Sequence, residues 1–245
     1  MKTLLSVRGA SLAFGGLQAL DDVGFDLRES SITGVIGPNG AGKTTLFNVI
    51  AGSLEPDQGS IVLDGTDITG WAPQRIARAG LVKTFQTSRP FASMSFVENV
   101  AVGALARLRD VRSARVEAMR CLDLVGLADK QATPSSGAST GQRKRLEIAR
   151  ALASGPRLLM LDEPFGGVDF AAVASLVELL KRIRAAGVTV FLIEHNLEAV
   201  HQLVDRLIAM NFGRTVTEGT AAEVTSDPRV VRAYLGLDEP AATHA

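Results

Sequence analysis

The pattern of apolar and polar positions predicts a sheet covered by helices. Two apolar runs, residues 158–161 and 188–193, lack alternation, which is typical of parallel strands buried on both faces. Between these runs, apolar residues from 173 to 183 recur at helical spacing. The resulting order of strand, helix and strand predicts a right-handed crossover within a parallel sheet.

Shorter apolar segments predict a second, antiparallel sheet near the N-terminus. Residues 4–7, 25–27 and 61–63 are mainly apolar, and turn residues such as Gly15-Gly16 and Asp64-Gly65 separate or end them. Such short strands, joined by turns, pair most simply with their neighbours in the chain. They therefore predict a small β subdomain beside the parallel sheet.

A helical insertion is predicted between about residues 95 and 150, because apolar residues recur there at a step of three. The clearest series is Val116, Met119, Leu122 and Val125. Nearer the C-terminus, residues 211–214 read Asn-Phe-Gly-Arg, which predicts a hairpin. No repeat with a period of 20 to 50 residues is present, so one functional unit is expected rather than a tandem pair.

The composition argues against several classes of protein. Lysine plus arginine equals aspartate plus glutamate at 26 each, so no net charge favours nucleic acid or an anionic membrane. Cys121 is the single cysteine, which excludes disulfides within the chain and predicts a reducing compartment such as the cytosol. The first apolar stretch stops at Arg8, too early for a secretory signal. No run reaches the roughly 18 apolar residues of a membrane-spanning helix.

Residues 37–44 match the phosphate-binding loop pattern in full and lie between an apolar run and a predicted helix. Glycines let the backbone turn its N–H groups toward phosphates, where the helix N-terminus adds partial positive charge. We expect Lys43 to contact the β- and γ-phosphates of ATP and the Thr44 hydroxyl to bind Mg²⁺. An ordinary glycine-rich turn is the alternative. The predicted nucleotide-binding residues here are Gly37, Pro38, Asn39, Gly40, Ala41, Gly42, Lys43, Thr44 and Thr45.

Two adjacent acids, Asp162 and Glu163, end the apolar run 158–161. Charged residues are rarely placed at the tip of a buried strand unless they are paired, and Mg²⁺ supplies a partner. We expect Asp162 to hold the metal, directly or through its water, and Glu163 to orient or deprotonate the attacking water. The alternative is a solvated strand end with an incidental pair of acids.

A third motif lies just before the Asp-Glu strand, where residues 138–151 read Ala-Ser-Thr-Gly-Gln followed by a basic helix. This stretch resembles the signature sequence of ABC ATPases, although Ala138 and Thr140 differ from the residues usual there. The resemblance implies that Ser139 and the Gly141 backbone reach the γ-phosphate of ATP bound to a second chain.

Gln142 completes this part of the implied nucleotide site. For the three basic residues 143–145, we expect a solvated helix face.

The same resemblance assigns roles to four further residues. Phe14 is similar to the aromatic that stacks on adenine, with burial in the core as the alternative. Gln86 resembles the glutamine that senses Mg²⁺ and joins the core to the helical lobe, and Asp169 lies in the loop that bridges two active sites. His195 resembles the histidine that contacts the γ-phosphate. The implied catalytic residues are Lys43, Glu163 and His195, and the implied metal ligands are Thr44, Gln86 and Asp162.

The resemblance is finer than the ABC superfamily. Residues 14–17, 75–78, 84–91, 98–100 and the tail from 218 to 236 look like ATPase subunits of the branched-chain and hydrophobic amino-acid uptake systems. The implied fold is α/β, a P-loop NTPase core with a mainly parallel sheet, an N-terminal antiparallel β subdomain and a helical ABC subdomain. Residues 1–245 would form one ABC ATPase domain. Its core would span about 1–90 and 155–245, and its helical subdomain about 91–154.

The implied function is ATP hydrolysis that energises an importer. Expected partners are integral-membrane permeases, a second ATPase subunit that is identical or a sister chain, and, indirectly, an extracytoplasmic binding protein. No nucleic acid is expected. The expected location is the cytoplasmic face of the plasma (inner) membrane. We expect Phe91, Met94 and Phe96 to accept a short helix from a permease, with burial in the helical lobe as the alternative.

Two other functions are possible from the sequence. Residues 165–169 and 195–196 also resemble the ATPase of lipopolysaccharide exporters. A non-transport ABC ATPase acting on DNA or ribosomes is disfavoured, because the chain has one cassette, one cysteine and no heptad run.

Overall fold

The computed structural model describes residues 2–84 and 90–237, which contain both strands and helices. The strands are β1 (Thr3–Phe14), β2 (Leu17–Arg28), β3 (Ile32–Ile36), β4 (Gln58–Leu63), β5 (Thr66–Asp67), β6 (Leu81–Lys83), β7 (Leu158–Asp162), β8 (Thr189–Ile193), β9 (Arg206–Asn211) and β10 (Arg214–Gly219). The helices are α1 (Lys43–Ile50), α2 (Pro73–Arg78), α3 (Phe96–Ala104), α4 (Val111–Leu124), α5 (Thr140–Ala153), α6 (Phe170–Ala185), α7 (Leu197–Leu203), α8 (Ala221–Ser226) and α9 (Pro228–Tyr234).

The chain divides into two compact units, residues 1–73 with 193–245 and residues 74–192. In the first unit, β2, β1, β4 and β5 form an antiparallel sheet in that order. This sheet confirms the β subdomain predicted from three short apolar segments. Also in the first unit, β3 pairs in parallel with β9, and β9 pairs with β10 in the predicted hairpin.

The turn between β9 and β10 has the backbone conformation that its sequence predicts. Phe212 and Gly213 have φ angles of 45° and 75°, so both central residues are left-handed, as a type I′ turn requires. Glycine adopts this conformation without steric cost, which makes Asn-Phe-Gly-Arg a turn sequence.

The second unit contains the parallel strands and the helical insertion. Strands β8, β7 and β6 are neighbours in that order, and β6 and β7 are parallel. Both β7 and β8 are buried along their whole length, as their unbroken apolar runs predicted. Helix α6 buries Leu176, Leu180 and Ile183 at the predicted helical spacing.

The helical insertion is confirmed as α3, α4 and α5, and Leu122 and Val125 of the predicted series are fully buried. Val116 is 68% exposed, whereas Ala114, Ala118 and Cys121 are fully buried. Residues spaced strictly three apart drift around a helix that has 3.6 residues per turn. The buried face of α4 instead uses steps of both three and four residues. Small alanines on that face let α4 pack closely, and a search for large apolar residues overlooks them.

Within residues 2–84 and 90–237, no helix is both long and apolar enough to cross a membrane.

Candidate functional site

The phosphate loop of the first unit begins where the buried strand β3 ends and stops where α1 begins. A β-carbon added to Gly37 would lie 2.2 Å from the Met210 carbonyl oxygen, and one added to Gly42 would lie 2.5 Å from the Ala19 carbonyl oxygen. Side chains at these two positions would collide with backbone that cannot swing aside. Gly42 also has a φ of 94°, which side chains rarely adopt. The two glycines are therefore required by the loop's own packing.

Lys43 is held inside this loop. Its Nζ donates to the carbonyl oxygens of Gly37 at 2.7 Å and Pro38 at 2.8 Å, and the residue is only 6% exposed. These bonds fix an ammonium charge at the start of α1, where backbone N–H groups already favour anions. The sequence predicts a phosphate-binding role for Lys43, and in the structure its ammonium lies within the glycine loop at the start of α1.

Two other segments hold the loop from outside. The Gly213 N–H in the hairpin turn donates to the Ala41 carbonyl at 3.1 Å, and the Gly37 N–H donates to the Tyr234 hydroxyl at 2.9 Å. Tyr234 ends α9, 197 positions away from Gly37 in the chain. No local pattern marks Tyr234 as part of a phosphate site, and sequence reasoning missed it.

His195 lies near the end of β3, in the same unit as the phosphate loop. Glu194, which is 3% exposed, donates its N–H to the Val35 carbonyl at 3.2 Å. Its carboxylate accepts the N–H groups of His195 at 2.9 Å and Asn196 at 3.3 Å. The backbone of the exposed His195 is thus fixed next to the strand that leads into the phosphate loop.

Phe14 lies at the end of β1 and is 49% exposed, which excludes the alternative that it is a core residue. Its neighbour across the turn, Leu17, is 68% exposed. An aromatic ring displayed at a turn is available for stacking. Gln86 lies outside the described residues.

In the second unit, Asp162 and Glu163 differ sharply in environment. Asp162 ends β7 and is 4% exposed, whereas Glu163 has a left-handed φ of 50°. The Glu163 carbonyl accepts from Lys144 Nζ at 2.9 Å and from the Gly166 N–H at 3.1 Å. The chain therefore leaves the extended conformation of β7 at Glu163, which is partly exposed.

Lys83 on β6 is a cation near this strand end that sequence reasoning did not single out. Burial lowers the pKa of its ammonium group, and the nearby negative charge of Asp162 partly offsets that shift. Strand β6 has only three residues, and its sequence gave no indication that Lys83 lies near Asp162.

Ser139 begins α5 through a capping box. Its hydroxyl accepts the Gln142 N–H at 3.3 Å, and its own N–H donates to Gln142 Oε1 at 3.0 Å. Gly141, in the first turn, would place an added β-carbon no closer than 3.7 Å to Ala172. Packing within this chain therefore requires Ser139 and Gln142 but does not require a glycine at 141.

The expectation of a solvated basic face on α5 was wrong for Lys144, which is 9% exposed and bonded to the Glu163 carbonyl. Arg143 is exposed, yet its Nε donates to the Ala138 carbonyl at 2.9 Å. Arg145 donates to the Val125 carbonyl at 2.8 Å. Each residue of this basic run thus donates a hydrogen bond to a backbone carbonyl.

Asp169 caps α6, accepting the Ala172 N–H at 2.9 Å, and is exposed. This hydrogen bond makes Asp169 the N-cap of α6, and its carboxylate remains at the surface.

The stretch after residue 90 is organised by Asn99, which is fully buried. Its side chain accepts the Phe91 N–H at 2.8 Å and donates to the Phe91 carbonyl at 3.1 Å. Phe91 and Met94 are 47% and 37% exposed, but Phe96 is 2% exposed. The expected surface therefore includes Phe91 and Met94, and for Phe96 the alternative of burial holds.

A glycine loop closed around Lys43, at the junction of strand and helix in an α/β fold, defines a nucleotide-binding P-loop protein. The family model described as ABC transporter matches residues 20–166, and one described as branched-chain amino acid ATP-binding cassette transporter matches residues 214–239. The chain belongs to the ABC transporter family, as an ATP-binding and ATP-hydrolysing transporter subunit.

Relatives match over nearly the full chain. The high-affinity branched-chain amino acid transport ATP-binding protein LivG of Salmonella typhimurium is 38% identical over 95% of this chain and 98% of its own length. BraF of Pseudomonas aeruginosa, with the same description, is 37% identical over 96% of this chain and 98% of its own length. These matches support the importer expectation over the lipopolysaccharide-type exporter alternative.

Solved cassettes share the fold. A nucleotide-free ATP-binding cassette from an ABC transporter has a TM-score of 0.88 at 31% identity, covering 95% of this chain and 99% of its own. A structure of an ABC transporter cassette in its ADP conformation has a TM-score of 0.89 at 31% identity, covering 96% of this chain and all of its own. The expected P-loop NTPase fold is thereby confirmed.

Proposed function

We propose that this chain hydrolyses Mg²⁺-ATP to drive uptake of branched-chain or other hydrophobic amino acids. The observation that carries the ATPase part is the Lys43 ammonium bound to two carbonyls of its own glycine loop. The choice of cargo rests on the similarity to LivG and BraF along nearly all of the chain.

Hydrolysis uses three residues in separate roles, namely Lys43, Glu163 and His195. Lys43 binds the β- and γ-phosphate oxygens, and its positive charge offsets the charge that accumulates there. Glu163 orients a water molecule and accepts its proton as the oxygen attacks the γ-phosphorus, and the bond from that phosphorus to the bridging oxygen breaks so that ADP leaves. His195, on backbone fixed by Glu194, contacts the γ-phosphate. Adenine stacks on the exposed Phe14 ring.

The residues assigned to Mg²⁺ fit a hard cation. Thr44 offers a hydroxyl, Gln86 an amide oxygen and Asp162 a carboxylate that is 4% exposed, and oxygen ligands are those that Mg²⁺ prefers. A bound Mg²⁺ would neutralise phosphate charge. Asp162 would offer this carboxylate from the buried end of β7.

A second ATPase subunit, identical or a sister chain, completes each site. We assign Ser139, Gly141 and Gln142 to the γ-phosphate of ATP on the opposite chain, and Asp169 to the contact between the two sites. Gly141 supports this assignment because packing within its own chain does not require a glycine there. A glycine inside the first turn of a helix weakens that helix, so the external contact supplies its reason.

The permeases bind at Phe91 and Met94, the exposed pair that Asn99 holds in place. The helical subdomain, about residues 91–154, carries this surface and the signature helix. The core, about residues 1–90 and 155–245, carries the phosphate loop and the water-activating acid. The protein works at the cytoplasmic face of the plasma membrane, where permeases receive cargo from an extracytoplasmic binding protein.

Leucine uptake in cells that lack the gene tests both parts of the proposal. Wild-type chain should restore uptake of radiolabelled leucine, as should Lys130→Ala, which changes a surface lysine paired with Asp129. Lys43→Ala and Glu163→Gln should not restore it. A purified wild-type chain without ATPase activity, both alone and together with its sister subunit, would refute the ATPase part. Normal leucine uptake in the deletion strain, combined with a defect in export of envelope lipid, would replace the cargo assignment with the exporter alternative.

A further inference from the structure

The hydroxyl of Tyr234 contacts the first glycine of the phosphate loop. Tyr234 is the only tyrosine in the sequence and the last residue of α9. Its oxygen accepts the Gly37 N–H at 2.9 Å. Although 42% of the residue is exposed, desolvation of its hydroxyl raises the pKa of the phenol more than the hydrogen bond from Gly37 lowers it. The phenol is therefore neutral at physiological pH and serves as a hydrogen-bond acceptor.

Helix α9 is fixed against the strand that leads into the loop. Val230 is 4% exposed and belongs to an apolar cluster with Ile36, the residue directly before Gly37. Leu207 and Val224 also belong to this cluster. Tyr234 lies one helical turn after Val230, on the same face of α9. The packing of α9 thus fixes the position of the Tyr234 hydroxyl.

Gly37 links Tyr234 to Lys43 through its backbone N–H and carbonyl groups. The N–H of Gly37 donates to Tyr234, and its carbonyl accepts from Lys43 Nζ at 2.7 Å. Gly37 has no side chain that could anchor it, and none fits, because an added β-carbon would lie 2.2 Å from the Met210 carbonyl oxygen. Its orientation depends on its backbone partners.

We infer that Tyr234 is a positioning residue for nucleotide binding: its hydroxyl orients Gly37, and Gly37 orients the ammonium of Lys43. This inference rests on the proposed role of Lys43 in phosphate binding. Without the hydroxyl, the Gly37 N–H loses its acceptor and the loop gains freedom to turn. The C-terminal segment of the chain thereby contributes to affinity for ATP without touching it.

Tyr234→Phe tests the inference, because it removes one oxygen and keeps the ring. Titration with the fluorescent analogue MANT-ATP should show a Kd about three- to tenfold higher than that of wild type, the range expected for one neutral hydrogen bond. In steady-state assays, KM for ATP should rise by a similar factor while kcat changes less than about twofold. Without nucleotide, hydrogen exchange should accelerate in the peptide that contains Gly37.

Leu235→Ala is the matched control, because it changes the neighbouring residue, which is 66% exposed. It should bind MANT-ATP like wild type. Equal Kd values for Tyr234→Phe and wild type would overturn the inference and leave the proposed function intact. So would a fall in kcat at unchanged KM. A wild-type chain that does not bind MANT-ATP would overturn the proposed function together with the inference.

Discussion

The ammonium of Lys144 donates a hydrogen bond of 2.9 Å to the backbone carbonyl of Glu163. Lys144 is 9% exposed, and Glu163 has a left-handed φ of 50°. A non-glycine residue in this conformation is strained by about 1–3 kcal/mol and persists where its surroundings fix it. Lys144 on the signature helix therefore anchors the backbone that presents the proposed general base.

Replacing Lys144 by methionine should slow hydrolysis and leave ATP affinity unchanged. Methionine keeps an apolar stem of similar length but cannot donate to the Glu163 carbonyl. Hydrogen bonds from charged groups contribute about 1.5–3 kcal/mol, so kcat should fall about ten- to a hundredfold if the bond orients the base. The measurement is steady-state ATPase activity together with MANT-ATP titration.

Lys181→Met is the control for this prediction. Lys181 has a side chain that is 38% exposed and pairs with Glu178 on the surface of α6. Its substitution should change kcat by less than about twofold, since exposed ion pairs contribute about 0–1 kcal/mol. Equal activity of Lys144→Met and Lys181→Met would contradict a role for the Lys144 contact.

Replacing Lys43 by alanine should abolish detectable ATP binding at micromolar nucleotide. The change removes the ammonium that two loop carbonyls hold in place. Those carbonyls would then face the phosphates without a neutralising charge. Isothermal titration with ATP checks the result, with circular dichroism to confirm that the variant is folded. Wild-type affinity in a folded Lys43→Ala protein would refute the assignment of the loop.

Glu163→Gln should retain ATP and accumulate dimers, because the isosteric amide cannot accept the proton from water. Hydrolysis should fall by at least about a hundredfold. Size-exclusion chromatography with light scattering, run in ATP, reports the dimer. A variant that stays monomeric in ATP would count against a site shared by two chains.

Adding Gly141→Ala to Glu163→Gln should prevent that dimer. Within its own chain the new methyl group meets only ordinary contact at 3.7 Å, and alanine favours the helix by about 1 kcal/mol. The double variant should therefore be at least as stable to heat, yet elute as a monomer.

Gly24→Ala, where an added β-carbon lies 3.5 Å from the Val7 carbonyl, is a control that should keep the dimer. Retention of the dimer by Gly141→Ala would show that no partner backbone approaches position 141.

Cys121 should be inert to DTNB in the folded protein at pH 8. The residue is fully buried, and burial raises the pKa of its thiol to about 12, so the reactive thiolate is almost absent. The thiol should react rapidly after unfolding in guanidinium chloride. Absorbance of the released thiolate follows the reaction, and rapid labelling of native protein would contradict the burial of this face of α4.

Local chemistry explains what the sequence predicted. The phosphate loop needs particular residues at fixed spacing, and the capping box of α5 needs Ser139 and Gln142 three positions apart, so both are visible in a linear pattern. The unbroken apolar runs of β7 and β8 likewise reflect burial on both faces. Each of these features is marked by a pattern within a few consecutive residues of the chain.

Contacts between distant segments explain what the sequence did not predict. Tyr234 meets Gly37 across 197 positions, and neither residue shows that partner in its neighbours. Lys144 lies in a basic run that looks solvated, yet the helix phase directs this one side chain inward to Glu163. The buried face of α4 relies on alanines, which carry little hydrophobic signal.

The Glu194 carboxylate accepts hydrogen bonds from the backbone N–H groups of His195 and Asn196. Every amino acid except proline carries such an N–H group, so these two hydrogen bonds do not depend on which side chain occupies position 195. An exchange of the histidine for another residue would change the chemistry offered at this position while both backbone hydrogen bonds to Glu194 remain available.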